Sequence, residues 1–486
     1  MSSPSCPLVR RFASLTRRDP AATAILGPDG APLLTRGELL HRSRTLAGEL
    51  LSSAHAGDTV VLSLPNSCEC VAAFLAARAA GLRVAFVDAT APDGELERCA
   101  ETVGARAVLM RPRSAGQEPA TDHAAVIIRR RAGAPVALPP RAAVLKLTSG
   151  STGAPQAVAL SIRQATADAV QIIRSMGLRA TDTTLAAIPL THSYGFGSCL
   201  MPLLLIGLPL VFPPSTLPAA LLAALRDAPV AHFPAVPAMI RALAALPDAP
   251  QLPHLRVCLA AGAPLDPADA AAFTARTGVK VHVFYGASEC GGISWDGSAA
   301  PVSKKGQVGT PLWRVSVEVI DEHGQACPPG IEGRVRVHSP AVALALLPPP
   351  KGDNPLAGAC FTTADLGVFD AEGRLTLTGR VTAALNVAGK KVHPEEVRRT
   401  LEALPGVRAA VVVGLPDERR GDLVAALVAV DPAAGLTEAR VLAHCRAHLA
   451  PYKLPHRLRL VEELPRSERG KVMRDEVVAL LRALRR

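Results

Sequence analysis

Between Asp58 and Arg111 the chain alternates short apolar runs with helical patterns, and that rhythm restricts the fold more tightly than any single motif. Thr59 to Leu64, Arg83 to Val87 and Ala107 to Met110 read as strands, with Glu69 to Ala80 and Glu95 to Val103 as the helices between them. This is the rhythm of a parallel α/β layer, in which the chain crosses back over the sheet before laying down the next strand. It resumes with a helix from about Ser161 to Met176, a strand near Leu185 to Ile188 and an apolar helix from Tyr194. Strands at Leu210 to Phe212, Val230 to Phe233, Leu255 to Leu259 and Val279 to Phe284 complete a second expected layer.

The remaining stretches fill in the architecture. Thr35 and Glu38 form a capping-box pattern ahead of Leu39, Leu46 and Leu50, which predicts an amphipathic helix. Residues 112–140 are rich in Pro, Ala and Arg and read as a passage over the surface. Beyond Gly306, strand patterns at Val315 to Ile320, Gly333 to Val337 and Arg374 to Thr378 predict a small β subdomain. After Arg380 the texture is helix, strand, strand and helix, the later three at Val411 to Gly414, Val424 to Val430 and Leu436 to Leu449. The fold class is therefore α/β: a large N-terminal domain, residues 1–380, of two α/β layers plus the β subdomain, then a smaller α+β C-terminal domain, residues 384–486.

Composition excludes several functions. Hydrophobic residues at 49% and charged residues at 20% over 486 positions fit a globular chain with a large core. Aromatics at 3% are too few for base-stacking platforms, and no nucleic-acid motif is present, so no nucleic-acid partner is expected. The formal charge of +11 suits phosphorylated substrates or an anionic partner. Its clusters at Arg10, Arg11, Arg17 and Arg18 and from Arg474 to Arg486 read either as solvated helix faces or as anion-binding surfaces. Ten scattered cysteines without a C-x-x-C pair fit reduced thiols in a cytoplasmic protein. The N-terminus lacks the pattern of a secretory signal, and the most apolar run, Gly197 to Phe212, is broken by Pro202, Gly207 and Pro209, so no transmembrane segment is expected.

Thr148-Ser149-Gly150-Ser151-Thr152-Gly153 gathers four hydroxyls and two glycines directly after the apolar run Ala142 to Leu147. Glycine lets the backbone approach an anion, and successive N–H groups and hydroxyls bind phosphate oxygens, although composition alone also fits a surface turn. No Gly-Lys-Ser/Thr closes the loop, so it is not a Walker loop. In order, LKLTSGSTGAPQAVAL resembles the signature loop of the adenylate-forming superfamily, of the AMP-dependent acyl-CoA synthetase or acyl-carrier-protein ligase type. The family's usual form is TSGSTG-x-P-K-G. Here its lysine is Gln156 and its following glycine is Ala157, which removes a charge near the outer phosphates. If another residue fills that place, Lys146, on the same strand face as Thr148, is the first candidate.

Further strings resemble the same family in the right order, from about residue 35 to 480. Tyr285-Gly286-Ala287-Ser288-Glu289 resembles YG-x-T/S-E, which implies an aromatic ring beside adenine and a glutamate on Mg²⁺, a cation that prefers hard oxygen ligands. Gly262-Ala263-Pro264 is similar to the adenine-contacting turn, Thr362-Thr363-Ala364-Asp365 to the ribose-binding T-G/A-D, and Gly379-Arg380 to the GR at the ribose. The hinge that follows, Val381-Thr382-Ala383, lacks the family's Asp or Lys. Gly470-Lys471 resembles the end of P-x-x-x-x-G-K, whose lysine reaches the bridging oxygen and the substrate carboxylate. A cation is needed there because attack of a carboxylate on phosphate brings two anions together. The resemblance thus implies Lys471, Glu289 and Thr148 as catalytic residues, and Ser149, Gly150, Ser151, Thr152, Gly153, Gly262, Ala263, Pro264, Tyr285, Gly286, Ser288, Asp365 and Arg380 around the nucleotide.

Val387 to Val397 resembles the loop that forms a second active face after the mobile C-terminal domain rotates, with Gly389 lining the pantetheine tunnel. The resemblance places His192, Tyr194, Phe196, Phe233, Val236 and Pro237 near the acyl group; His192 reads equally as a satisfied buried histidine, and the apolar five as core. Amino-acid-activating members carry an aspartate near this string, and none stands between Leu190 and Val211. The implied activity is ATP- and Mg²⁺-dependent conversion of a carboxylic acid without an α-amino group to acyl-AMP and pyrophosphate, followed by transfer to the thiol of CoA. A carrier-protein phosphopantetheine is the alternative acceptor, and a non-catalytic nucleotide or acyl-adenylate binding protein is the competing class.

Overall fold

The computed structural model describes residues 6–112, 126–131, 136–149, 155–247, 251–350, 354–380, 384–417, 420–465 and 474–483. Strands Thr59–Ser63, Arg83–Phe86, Ala105–Met110 and Val144–Ser149 lie in a seven-stranded sheet, parallel wherever they pair with one another. Helices Cys68–Ala79 and Asp93–Thr102 make the crossovers. Local chemistry sets the helix starts. Thr35 accepts from Glu38 N and the Glu38 carboxylate takes Thr35 N, so both halves of the predicted capping box open helix Arg36–Leu51. Ser161 and Gln164 repeat the device at helix Ile162–Met176.

The second layer is a fourteen-stranded sheet whose middle strands, Thr184–Leu185, Leu210–Val211, His232–Ala235, Val257–Ala260 and Val281–Ala287, are parallel. From Val281–Ala287 the pairing turns antiparallel through Gly291–Trp295, Gln307–Pro311 and Leu375–Arg380 to Cys360–Phe369, Gly333–His338 and Ser316–Ile320. The β-rich region is therefore continuous, bond by bond, with the parallel strands.

Several expectations shift. The strand near Leu185 stops at Leu185, because the carbonyls of Ala186 and Ile188 accept from Asn66 Nδ2 at 2.7 and 2.9 Å. The strand placed at Val230 begins at His232, after a turn in which Val230 N donates to the Ala228 carbonyl. The surface passage contains an edge strand, Ile127–Arg130, antiparallel to Ala105–Met110. Helix Pro7–Arg18 buries Leu8, Val9, Phe12 and Leu15 and exposes Arg10, Arg11, Arg17 and Arg18, so of the two readings of the N-terminal basic cluster the helix face is the one that forms. The expected helix from Tyr194 is Ser193–Gly195, a π-helical turn Phe196–Leu200, and Met201–Ile206.

Two compact units divide the chain: Met1–Ala89, Ala100–Leu147 and Ala157–Val381 form one, and Thr90–Cys99, Thr148–Gln156 and Thr382–Arg486 the other. A five-stranded sheet organises the second. Along its strand Gly421–Val430, Val424, Ala426 and Val428 enter one apolar cluster while Ala425, Leu427 and Ala429 enter another, as the two-residue period of a strand buried on both faces requires. Helices Pro394–Glu402 and Glu438–His448 supply Val397, Leu401, Val441 and Cys445 to the first cluster, and helix Arg474–Arg482 supplies Val477 and Leu481 to the second. The hairpin Leu385–Val387 with Lys390–Val392 and strand Arg457–Val461 are additions to the sequence reading, and helix Arg474–Arg482 matches its helix reading of the C-terminal basic cluster. None of the ten cysteines forms a disulfide among the described residues, and no described helix is long and apolar enough to cross a membrane.

Candidate active site

In an open α/β sheet the loops leaving the carboxyl ends of parallel strands converge on one edge, and ligands bind there. Three neighbouring strands carry the predicted strings to that edge. His232–Ala235 ends in Val236 and Pro237, the N-cap and first residue of helix Pro237–Ala244. Val257–Ala260 ends in the turn of Gly262, Ala263 and Pro264, where Gly262 takes a φ of 87°, a conformation that favours glycine. Val281–Ala287 carries Tyr285 and Gly286 and delivers Ser288 and Glu289 just beyond it.

The residues expected to face a nucleotide are tied together from distant parts of the sequence. Tyr285 OH donates to Asp365 Oδ2 at 2.6 Å, and the Asp365 N–H donates to Thr363 Oγ1 at 2.9 Å. Burial raises the Tyr285 hydroxyl well above the usual tyrosine range and the Asp365 charge adds to it, so the phenol stays protonated as the donor. Asp365 stands opposite Arg380 in the antiparallel pairing of their strands. Ser193 Oγ donates to Ser288 Oγ at 2.7 Å, joining the 192–198 string to the Glu289 loop.

His192 Nε2 lies 2.9 Å from Asp88 Oδ2, which gives this half-exposed histidine a partner. Tyr194 stacks on Phe284 with ring centroids 5.6 Å apart. Phe196 and Phe233 are wholly buried, and Phe196 packs on Phe74 and Phe86 at 5.6 and 5.2 Å, so both belong to the core, while Val236 and Pro237 begin a helix at the strand ends. Gly389, with φ 83°, sits in the two-residue turn of a hairpin and donates to Asn386 Oδ1 at 3.1 Å. Gly150, Ser151, Thr152, Gly153, Lys471 and the hinge 381–383 lie outside the described residues, and of Thr148, Ser149 and Arg380 the backbone strands are described.

Three residues were not singled out from the sequence. Asn66 donates to the Ala186 and Ile188 carbonyls and accepts from Leu190 N at 2.7 Å, fixing the loop that leads to His192. Asp88 orients His192. Both follow directly on parallel strands, and that position was the available signal. Asp168 lies on helix Ile162–Met176, yet a Cβ on Gly197 would stand 2.9 Å from its Oδ2. A carboxylate therefore does adjoin the 192–198 string, supplied from remote sequence. Lys146 shares its electrostatic neighbourhood and would repel a substrate ammonium.

Mg²⁺ needs hard oxygen donors and commonly takes one or two protein carboxylates, with phosphates and water completing its shell. Glu289, partly exposed at the strand end, fits that need, and among the described residues no cluster of three His, Cys, Asp or Glu competes for a metal.

Comparison with known proteins gives the family. A feruloyl-CoA synthase from Amycolatopsis sp. is 29% identical over 477 residues, 95% of this chain and 96% of that protein. A 2-succinylbenzoate–CoA ligase from Bacillus licheniformis is 28% identical over 456 residues, covering 91% and 94%. The amide bond synthetase McbA from Marinactinospora thermotolerans superposes with a TM-score of 0.82 at 26% identity, covering 97% of this chain and 99% of that one. The model of the AMP-binding enzyme family matches residues 12–347 and that of its C-terminal domain residues 396–471, so the chain belongs to the AMP-binding enzyme family.

Proposed function

We propose that this chain is an AMP-forming acid–thiol ligase that activates a carboxylic acid as acyl-AMP and transfers the acyl group to the thiol of CoA. The observation that carries this reading is the Tyr285–Asp365 hydrogen bond at the sheet edge, with Arg380 opposite Asp365, inside a chain whose curated relatives are named as CoA ligases. An aspartate held by a buried, protonated tyrosine is positioned to accept from ribose hydroxyls. Gly262 and its turn would face the base, and the Tyr285 ring would pack beside it.

In the first half-reaction a carboxylate oxygen attacks the α-phosphorus, the bond to the bridging oxygen breaks, and pyrophosphate leaves. Negative charge builds on the bridging and non-bridging oxygens, so cations fixed in the site lower the barrier. Lys471 is the residue proposed to supply one. Glu289 would hold Mg²⁺, which when bound neutralises phosphate charge. In the second half-reaction the thiol sulfur, having released its proton, attacks the acyl carbonyl carbon and AMP leaves. The uncharged hinge Val381-Thr382-Ala383 would pivot the C-terminal domain, residues 384–486, and Gly389 would leave room for the pantetheine arm. The proposed location is the cytoplasm, and a carrier-protein phosphopantetheine is the alternative acceptor.

The test is pyrophosphate release from ATP and Mg²⁺ over short, medium, long-chain and aromatic acids, with no thiol, with CoA and with a phosphopantetheinylated carrier protein. Release stimulated by one thiol establishes the ligase and its acceptor; ATP binding without release for any acid would favour the non-catalytic reading. Lys471→Ala is expected to slow adenylation by about 10²-fold or more while affecting transfer from preformed acyl-AMP much less. Equal losses in both half-reactions would remove Lys471 from the first.

A further inference from the structure

Lys146 is 3% exposed, on strand Val144–Ser149, with its Cα opposite that of Phe86 in the parallel pairing. Its ammonium stands 5.6 Å from the centre of the Phe196 ring. Among the described residues it makes no hydrogen bond and no ion pair. Nearby charge comes from Asp168 and, more weakly, Glu289. Asp168 is 4% exposed, and its Oδ1 accepts from Gly292 N at 2.9 Å. Glycine at 291 and at 197 makes room for this carboxylate: an added Cβ would lie 2.3 Å from Oδ1 and 2.9 Å from Oδ2 respectively. At Gly291 the φ of 73° independently disfavours a side chain.

A desolvated ammonium without a partner costs more than a methionine or leucine filling the same volume, so packing alone does not account for a lysine here. The neighbours locate its use. Phe196 and Gly197 open the π-helical turn that continues the string beginning at His192, and Gly291 and Gly292 open the strand that follows the Glu289 string, so Lys146 adjoins two of the strings predicted to surround the acid. An ammonium has three donors and no acceptor, so its ligand must offer an acceptor oxygen. With Asp168 and Glu289 already nearby, an uncharged oxygen is favoured over a second anion.

Resting on the ligase reading, we propose that Lys146 is a specificity-determining residue that donates a hydrogen bond to a neutral acceptor oxygen, a hydroxyl or ketone, carried by the acid away from its reacting carboxylate. Asp168, held by Gly292 N, supplies the largest favourable charge at that ammonium. The substrate class is thus an oxygenated acid rather than a plain hydrocarbon acid, and Lys146 does not serve as the phosphate cation missing at Gln156.

The experiment compares kcat/KM for pyrophosphate release within acid pairs that differ in one oxygen function: 4-hydroxycinnamate and cinnamate, 3-hydroxybenzoate and benzoate, 4-oxopentanoate and pentanoate. The wild type is expected to favour the oxygenated member of at least one pair by about 10²-fold, since a site built to donate a hydrogen bond rejects the analogue lacking the acceptor. Lys146→Met should collapse that ratio to within about threefold, the loss falling on the oxygenated member, and Asp168→Asn should reduce it in part. Melting without ligands separates folding from recognition: the Met variant is expected to melt no lower than the wild type. Equal rates within every pair, or a preference that survives in Lys146→Met, would overturn the proposal. So would a Met variant that melts lower and loses all acids equally, which would make the lysine structural, or one whose ATP affinity without acid falls, which would return it to the phosphates. A wild type that releases pyrophosphate with no acid at all fails the ligase reading itself and takes this proposal with it.

Discussion

Among the described residues two lysines are buried, Lys146 at 3% exposure and Lys453 at 4%, and they are used in opposite ways. Lys453, in the short turn Pro451–Lys453, meets Glu95 Oε1 at 2.5 Å and Glu396 Oε1 at 2.8 Å, all three residues belonging to the second compact unit. Burial works to lower its pKa, but Tyr452 and the two carboxylates outweigh it and hold the ammonium well above the usual lysine range. At Lys146 burial prevails and the pKa falls, because Asp168, Cys290 and Glu289 offset it incompletely. One lysine is satisfied by its own fold; the other is left to be satisfied by a ligand. Burial alone does not separate structure from recognition, whereas the count of partners does.

The largest effect expected from this contrast follows removal of the paired cation. Lys453→Met leaves Glu95 and Glu396 buried together without a counter-charge, and breaking a buried ion pair by deleting one partner costs about 3–5 kcal/mol. Urea unfolding of the full chain, followed by a probe in the C-terminal unit, should show that loss. The triple change Lys453→Met, Glu95→Gln, Glu396→Gln should recover most of it, since no uncompensated charge remains. Lys146→Met should lose nothing comparable. Similar destabilisation in both variants would break the distinction between the two lysines.

His232 is an intermediate case. Its Nδ1 lies 3.0 Å from Thr184 Oγ1, while the buried Nε2 has no hydrogen-bond partner among the described residues. Burial, with a smaller contribution from Arg256, brings its pKa from 6.5 down to about 3. The folded chain therefore refuses a proton that the unfolded chain accepts between those values. The stability associated with neutral His232 is complete above pH 6.5 and is lost as pH falls, by about 1.4 kcal/mol per unit. In urea titrations at pH 6, 5 and 4, His232→Gln should flatten the acid limb of the stability profile by that slope. An unchanged limb would mean that other groups carry the acid sensitivity.

Much of this was legible in the sequence because it is local. The strand and helix rhythm from Asp58 to Arg111, the Thr35 cap, the helix starting near Ser161 and the glycine turn at 262 depend on residues within a few positions of one another, and each formed where expected. Helix Pro7–Arg18 was legible only as one of two readings, because its basic cluster suits a solvated helix face and an anion-binding surface alike. The strand expected from Leu185 to Ile188 ends at Leu185 because Asn66, some 120 positions away, takes the carbonyls that a longer ladder would use. The site divides in the same way. Motif order singled out Tyr285, Glu289 and Asp365, but that Tyr285 holds Asp365, that Asp88 holds His192 and that Asp168 adjoins Gly197 are pairings between distant segments, which no spacing encodes.

The smallest effect concerns the pair in which both members are satisfied by each other and still face a ligand. Tyr285→Phe keeps the ring that would pack beside adenine and removes the hydroxyl bonded to Asp365 Oδ2 at 2.6 Å. A hydrogen bond to a charged group contributes about 1.5–3 kcal/mol, but Asp365 keeps the Thr363 bond to its backbone and solvent can replace the phenol at a half-exposed carboxylate, so a net cost near 1 kcal/mol is expected. That corresponds to a KM for ATP raised about fivefold with kcat within about twofold, because the ribose is held alike in the ground and transition states. The effect should be constant from pH 6 to 9, since the raised tyrosine pKa keeps the phenol a donor throughout. If kcat fell with kcat/KM by the same factor, the tyrosine would be acting on the transition state, and Asp365 would have to be treated as part of the chemistry rather than as a grip on the nucleotide.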